Sequence, residues 1–100
     1  EGGAHVPLII KGANVAVDVP KVESSLVHVV DFYDTTHELL GLTIPSHTHD
    51  SQSFASLLRG ESIDMSSSRA VLVEQFGGMV RQPEQVGRSV RNANFKLIRS

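Results

Sequence analysis

The chain opens with Glu1-Gly2-Gly3-Ala4-His5-Val6-Pro7-Leu8-Ile9-Ile10-Lys11-Gly12, and residues 6–10 are its most concentrated apolar run. A short apolar run bounded by glycines reads as a buried strand. Pro7 has no N–H to give to a ladder, so it belongs in the first residues of that strand or on a sheet edge. Burial of Leu8, Ile9 and Ile10 would stabilise by roughly 1.5–3 kcal/mol each. A strand apolar on both faces normally needs cover on both. The remaining chain supplies cover for one side at most.

Composition sets the bounds around this run. One hundred residues allow one small domain or part of a larger one. An apolar fraction of 40% and a charged fraction of 20% are ordinary for a globular protein. The net charge of −2 gives no electrostatic reason to expect nucleic acid or an anionic membrane as partner. The absence of cysteine removes disulfides, zinc–thiolate sites and a cysteine nucleophile. No apolar run approaches the roughly 20 residues that span a bilayer, and no signal peptide is visible. The chain begins with Glu rather than Met, so it is expected to be processed, trimmed or a piece of something longer.

Beyond the opening run, residues 11–21 read as a loop in which Ala13, Val15, Val17 and Val19 alternate weakly before Pro20. Residues 26–42, LVHVVDFYDTTHELLGL, put Leu26, Val29, Val30, Tyr33, Leu39 and Leu40 at helical spacing. The β-branched residues of 27–30 suit an extended segment equally, so the helix is expected from near Asp31. Asp31 would be its N-cap, and Asp34 would lie in the first turn, where negative charge suits the helix dipole. Gly41 fits the position just past the helix end, with Pro45 beyond it. Residues 53–59 predict a short helix with Phe54, Leu57 and Leu58 on one face and Gly60 as its stop.

Residues 61–68 are polar and hold Ser66-Ser67-Ser68, a flexible linker rather than a nucleophile. A strand is expected over 70–76, AVLVEQF, broken by Gly77, Gly78 and a turn at Gln82-Pro83-Glu84. Residues 89–91 and 95–99 read as two strands joined through Asn92-Ala93-Asn94. Asparagine tolerates left-handed backbone angles, which suits a tight hairpin. Phe95 and Leu97 would share one face, Lys96 and Ile98 the other. The expected organisation is a unit over 1–62, a linker over 63–68 and an antiparallel unit over 69–100.

The His47-Thr48-His49-Asp50 segment has the spacing of two imidazoles on one side of an extended chain. No further ligand stands at a fixed spacing to it and Asp50 already serves as a helix start, so a polar loop between helices is the preferred reading. His28 and His37 read as surface or capping residues. No Gly-x-Ser-x-Gly, phosphate loop or Asn-x-Ser/Thr acceptor occurs. Arg88, Arg91, Lys96 and Arg99 make the C-terminal hairpin basic: a solvated face by default, or a site for a sulfated or otherwise anionic ligand.

Four patterns stand in one order: EGGAHVPLIIKG at 1–12, VVDFYDTTHELLGL at 29–42, DSQSFASLLRG at 50–60 and VRNANFKLI at 90–98. Together they resemble the C-terminal portion of a sulfatase of the alkaline-phosphatase-like superfamily, arylsulfatase type. Two positions depart from that family's pattern. Asp34 stands where the family usually has proline, and Ser51 where it usually has glycine. The fold implied is α/β, a mixed α+β fragment: the last strand–helix unit of the sulfatase domain plus a small C-terminal antiparallel sheet with its hairpin.

The resemblance also implies the chemistry of the parent family, sulfuric ester hydrolysis through a formylglycine with calcium holding the sulfate. The Cys/Ser-x-Pro-x-Arg motif that yields formylglycine is absent from this chain. The family's calcium ligands lie mostly before the matched segment, and its sulfate-contacting lysine lies just upstream of the Glu-Gly-Gly run. No catalytic residue, metal ligand or cofactor is therefore assigned here, and the chain is expected to be inactive alone. By the resemblance, His5 lies near the rim of the active site and is the candidate substrate contact; without the rest of the pocket the preferred reading is a polar residue at the strand entry. Arg88, Arg91 and Lys96 are the candidate anion-binding residues. The partner expected for the apolar run is the missing N-terminal portion of the fold or a second copy in a homo-oligomer. The alternative is a free-standing module for binding or self-association.

Overall fold

Helix formation begins at His28. In a computed structural model of the protein, which describes residues 4–13, 15–16, 22–46, 49–61, 69–75 and 87–99, this residue is extended at φ −118° and ψ 155°. Its Nδ1 accepts the Val30 N–H at 3.2 Å, while Asp31 Oδ2 accepts the His28 N–H at 2.7 Å. This reciprocal capping box starts a 3-10 turn, Val29–Asp31, that runs into helix α1, Phe32–Leu39. Asp31 stands at the N-cap position of α1, as expected, but makes no side-chain cap bond to it. The extra turn moves the start of the helix earlier, and the Asp31 carboxylate reaches back to close it.

Gly41 ends the helix as its sequence position implied. At φ 67° it lets its own N–H donate to Glu38 O at 3.1 Å and the Leu42 N–H to His37 O at 2.8 Å. This is the Schellman pattern. Helix α2, Ala55–Leu58, ends the same way: Gly60 lies at φ 81°, its N–H bonds Leu57 O at 3.1 Å, and the Glu61 N–H bonds Ser56 O at 3.0 Å. α2 is shorter than the expected 53–59, because Ser53 and Phe54 lead into it. The Ser53 hydroxyl oxygen accepts the Ala55 N–H at 3.2 Å.

The two helices meet over a core that is mostly polar. Among the described residues only Phe54 and Ala55 are buried hydrophobics, and the Phe32 ring meets Phe54 edge-on at 5.7 Å. Asp31, Asp34, Thr35 and Ser51 are buried beside them. Buried polar groups are tolerated only when hydrogen-bonded, and these bond across the gap between the helices. Asp31 Oδ1 accepts the Gln52 N–H at 3.0 Å, and Thr35 Oγ1 accepts the Phe54 N–H at 3.0 Å while donating to Asp31 O at 2.6 Å. The Asp34 N–H donates to Ser51 Oγ at 3.1 Å. The Ala16 N–H donates to Leu58 O at 2.8 Å, tying the early loop to the end of α2.

Strands β1, Val71–Gln75, β2, Gly87–Arg91, and β3, Lys96–Arg99, form an antiparallel sheet in that order. Val71 opposes Arg91 and Gln75 opposes Gly87 across the first pair; Arg88 opposes Arg99 and Arg91 opposes Lys96 across the second. The hairpin turn differs from the expectation in mechanism. No non-glycine residue has a positive φ among the described residues. Instead Asn92 Oδ1 accepts the Asn94 N–H at 2.9 Å and the Phe95 N–H at 2.7 Å, and the Asn92 N–H donates to Phe95 O at 3.0 Å. The side-chain amide closes the loop, so left-handed backbone is not needed.

Residues 6–10 are not a strand and pair with none of the described strands. Val6, Leu8 and Ile9 are 62%, 48% and 90% exposed. A strand is defined by its neighbour, and apolar character alone does not make one. Two compact units divide the chain: Pro7–Asp64, and Glu1–Val6 with Met65–Ser100. The expected linker 63–68, Phe76 at the expected end of β1, the turn at Gln82-Pro83-Glu84, and Val17 to Pro20 lie outside the described residues. No described helix is long and apolar enough to cross a membrane.

Candidate functional site

Chemically capable side chains gather in two places, one in each unit. The first lies where α1 and the segment before α2 face each other. Asp34, in the first turn of α1, is 2% exposed, and its Oδ1 lies 3.6 Å from His49 Nε2. The His49 ring meets Tyr33 edge-on at 5.1 Å, and Tyr33 in turn lies 4.4 Å from the His37 ring. His37 Nδ1 is 2.8 Å from Tyr33 O one turn earlier. Among the described residues no three His, Cys, Asp or Glu side chains converge as a metal site. Of the His47-x-His49 pair, His47 lies outside the described residues.

Further along α1, the Glu38 carboxylate is hydrogen-bonded by Ser53 and by Arg59, whose Nη2 is 2.6 Å from Glu38 Oε1. These two partners, the Ser53 hydroxyl first, hold Glu38 below the usual carboxylate range; the Glu38 bond in turn raises Arg59. Glu61 adds a longer contact to Arg59 at 3.4 Å. This group pins α1 to both ends of α2.

The second place is the hairpin. Alternation along the strands sends Arg88 to one face and Arg91 to the other. Arg88 shares its face with Leu72, Glu74, Val90, Leu97 and Arg99, and its Nε lies 2.9 Å from Glu74 Oε1. Arg91 and Lys96 stand directly opposed on the face of Val71, Val73, Ser89 and Ile98. The three candidate anion-binding residues are therefore not one cluster: the fold joins Arg91 to Lys96 and gives Arg88 to a carboxylate. His5 lies in an exposed bend ahead of residues 6–10.

The Asp34–His49 contact and the bridging role of Asp31 were missed from sequence. A signal existed for the first region. The two departures from the sulfatase pattern, Asp34 for proline and Ser51 for glycine, are bonded to each other. Proline has no N–H and glycine no side chain, whereas Asp34 offers the N–H that Ser51 Oγ accepts.

Against known proteins, this chain is 42% identical over 65 residues to a sulfatase of Formosa agariphila. The match covers 62% of this chain and 12% of that protein. The likeness makes the chain a relative of a sulfatase over that stretch. No family model matches it, and no solved structure matches it.

Proposed function

We propose that this chain is the C-terminal portion of a sulfatase of the alkaline-phosphatase-like superfamily, contributing its last helical unit and a small antiparallel sheet to a protein that hydrolyses sulfuric esters. The observation that carries this reading is the 42% identity over 65 residues to the Formosa agariphila sulfatase; the four ordered sequence patterns agree with it. On this reading the formylglycine and the calcium are held by residues outside this chain. The role left to this chain is to complete the fold around the site, with His5 near its rim.

Two measurements test the proposal. The gene upstream of Glu1 is expected to encode a lysine about five residues earlier and a Cys/Ser-x-Pro-x-Arg motif before it; a stop codon directly upstream overturns the reading. The chain alone, given an aryl sulfate and calcium, is expected to show no turnover above background, and turnover would overturn the proposed silence. A second reading, self-association, is favoured by one observation: the exposure of Val6, Leu8 and Ile9 on one continuous run. Contiguous exposed apolar surface marks an interaction site. Light scattering at micromolar concentration separates the two, a monomer counting against self-association.

A further inference from the structure

We propose that the outer face of the antiparallel sheet is the docking surface for a second copy of this chain, laid face to face about a two-fold axis parallel to β2. The inference stands apart from the sulfatase reading and from residues 6–10. It starts from two rows of side chains that cross all three strands in register. Leu72, Val90 and Leu97 form an apolar row, 52%, 41% and 73% exposed. Glu74, Arg88 and Arg99 form a charged row beside it. The rows lie two residues apart along each strand, so alternation puts both on one face. An apolar sheet face is stable when covered, and a second sheet is one of the few covers available.

The charged row decides which cover fits. Its acid stands on one edge strand, β1, and an arginine on the other, β3. A two-fold axis lying between two such faces, along β2, exchanges the edge strands. Glu74 of each copy then meets Arg99 of the other, Leu72 meets Leu97, and Val90 meets its own counterpart on the axis. Arg88 meets its counterpart there too, but each Arg88 holds its own Glu74 at 2.9 Å. A carboxylate has a second oxygen to offer another arginine. The face is therefore complementary to itself in charge and in apolar area alike. Strands of four and five residues make a flat area of roughly 200 Å². Stable interfaces bury about 800 Å² per partner, so this dimer is weak and forms at high protein concentration.

Charge reversal tests this contact between copies. The two-fold repeats every contact, so one substitution changes two pairs. Sedimentation equilibrium at low salt, carried into the high micromolar range, is expected to show a reversible passage from monomer to dimer. Glu74→Arg and Arg99→Glu should each weaken the dimer about tenfold. Mixed in equal amounts, the two variants should associate as the unmodified chain does, because one brings two arginines where the other brings two glutamates. Leu97→Asp, at the most exposed position of the apolar row, should abolish the dimer with far-UV circular dichroism unchanged. Ile9→Asp should leave it intact. An unmodified chain that stays monomeric, a mixture no stronger than its separate components, or a dimer that survives Leu97→Asp overturns the proposal. Loss of the dimer in Ile9→Asp assigns the contact to residues 6–10 and also overturns it. The upstream gene and the aryl-sulfate assay test the sulfatase reading separately, so failure here removes only this inference.

Discussion

Asp31 is the residue on which the helical unit turns. It is fully buried, and its two carboxylate oxygens accept backbone N–H groups from His28 and from Gln52, 21 residues on. A buried donor left without its acceptor costs about 1–3 kcal/mol. Asp31→Ala is therefore expected to destabilise the unit by about 2–4 kcal/mol, read from urea unfolding followed by far-UV circular dichroism. The Asp34–Ser51 bond makes a sharper prediction. Ser51→Ala should cost about 1–2 kcal/mol in the native background and close to nothing beside Asp34→Pro, which removes the N–H. An equal loss in both backgrounds would mean that the bond is not what links the two positions.

At the scale of elements, both helices stop by the same device, and the two glycines are not equivalent. A side chain added at Gly41, φ 67°, meets nothing within 4 Å, whereas one added at Gly60, φ 81°, lies 3.4 Å from Ala16 Cβ. Left-handed backbone with a side chain costs roughly 1–2 kcal/mol. Gly41→Ala and Gly60→Ala should each lower stability by about that amount, the contact at Gly60 being an ordinary van der Waals one, measured by thermal unfolding. The contact between the helices also carries a pH dependence. Glu38 is lowered by Ser53 and then by Arg59, so it takes up its proton less readily folded than unfolded. Its contribution is complete above the ordinary glutamate value of about 4.3 and is lost as pH falls through the lowered folded value. Glu38→Gln should flatten the acid limb of a stability–pH curve by lowering the neutral plateau slightly while leaving the acid end unchanged. The group is solvent-screened, so the effect is small.

For the whole molecule, the exposed run at residues 6–10 is the feature that asks for something more. Ile9 is 90% exposed, and desolvating such a side chain is worth roughly 1.5–3 kcal/mol. If self-association uses this run, Ile9→Asp should return the chain to monomer in light scattering, with circular dichroism unchanged. A dimer that survives the substitution would place the contact elsewhere. The outer sheet face, where Leu72, Val90 and Leu97 stand in register at 52%, 41% and 73% exposure, is the next surface to probe in that case.

Local chemistry made part of this protein legible in its sequence. Gly41 and Gly60 announced the helix ends because only glycine enters left-handed backbone freely. The stretch AVLVEQF announced β1, and the Asn-rich turn announced the hairpin. These features depend on neighbours within a few residues. What the tertiary structure decided depends on distant partners. The 3-10 turn at His28 formed because Asp31 could close it, where the β-branched residues alone left an extended segment open. Asp31, Asp34, Thr35 and Ser51 became a buried network because the chain returned 17 to 21 residues later with matching donors and acceptors. Strand alternation put Arg88 and Arg91 on opposite faces, and register set Lys96 opposite Arg91. Residues 6–10 show the limit most plainly: their hydrophobicity is written in the chain, but a strand exists only where a second strand supplies the other half of its hydrogen bonds.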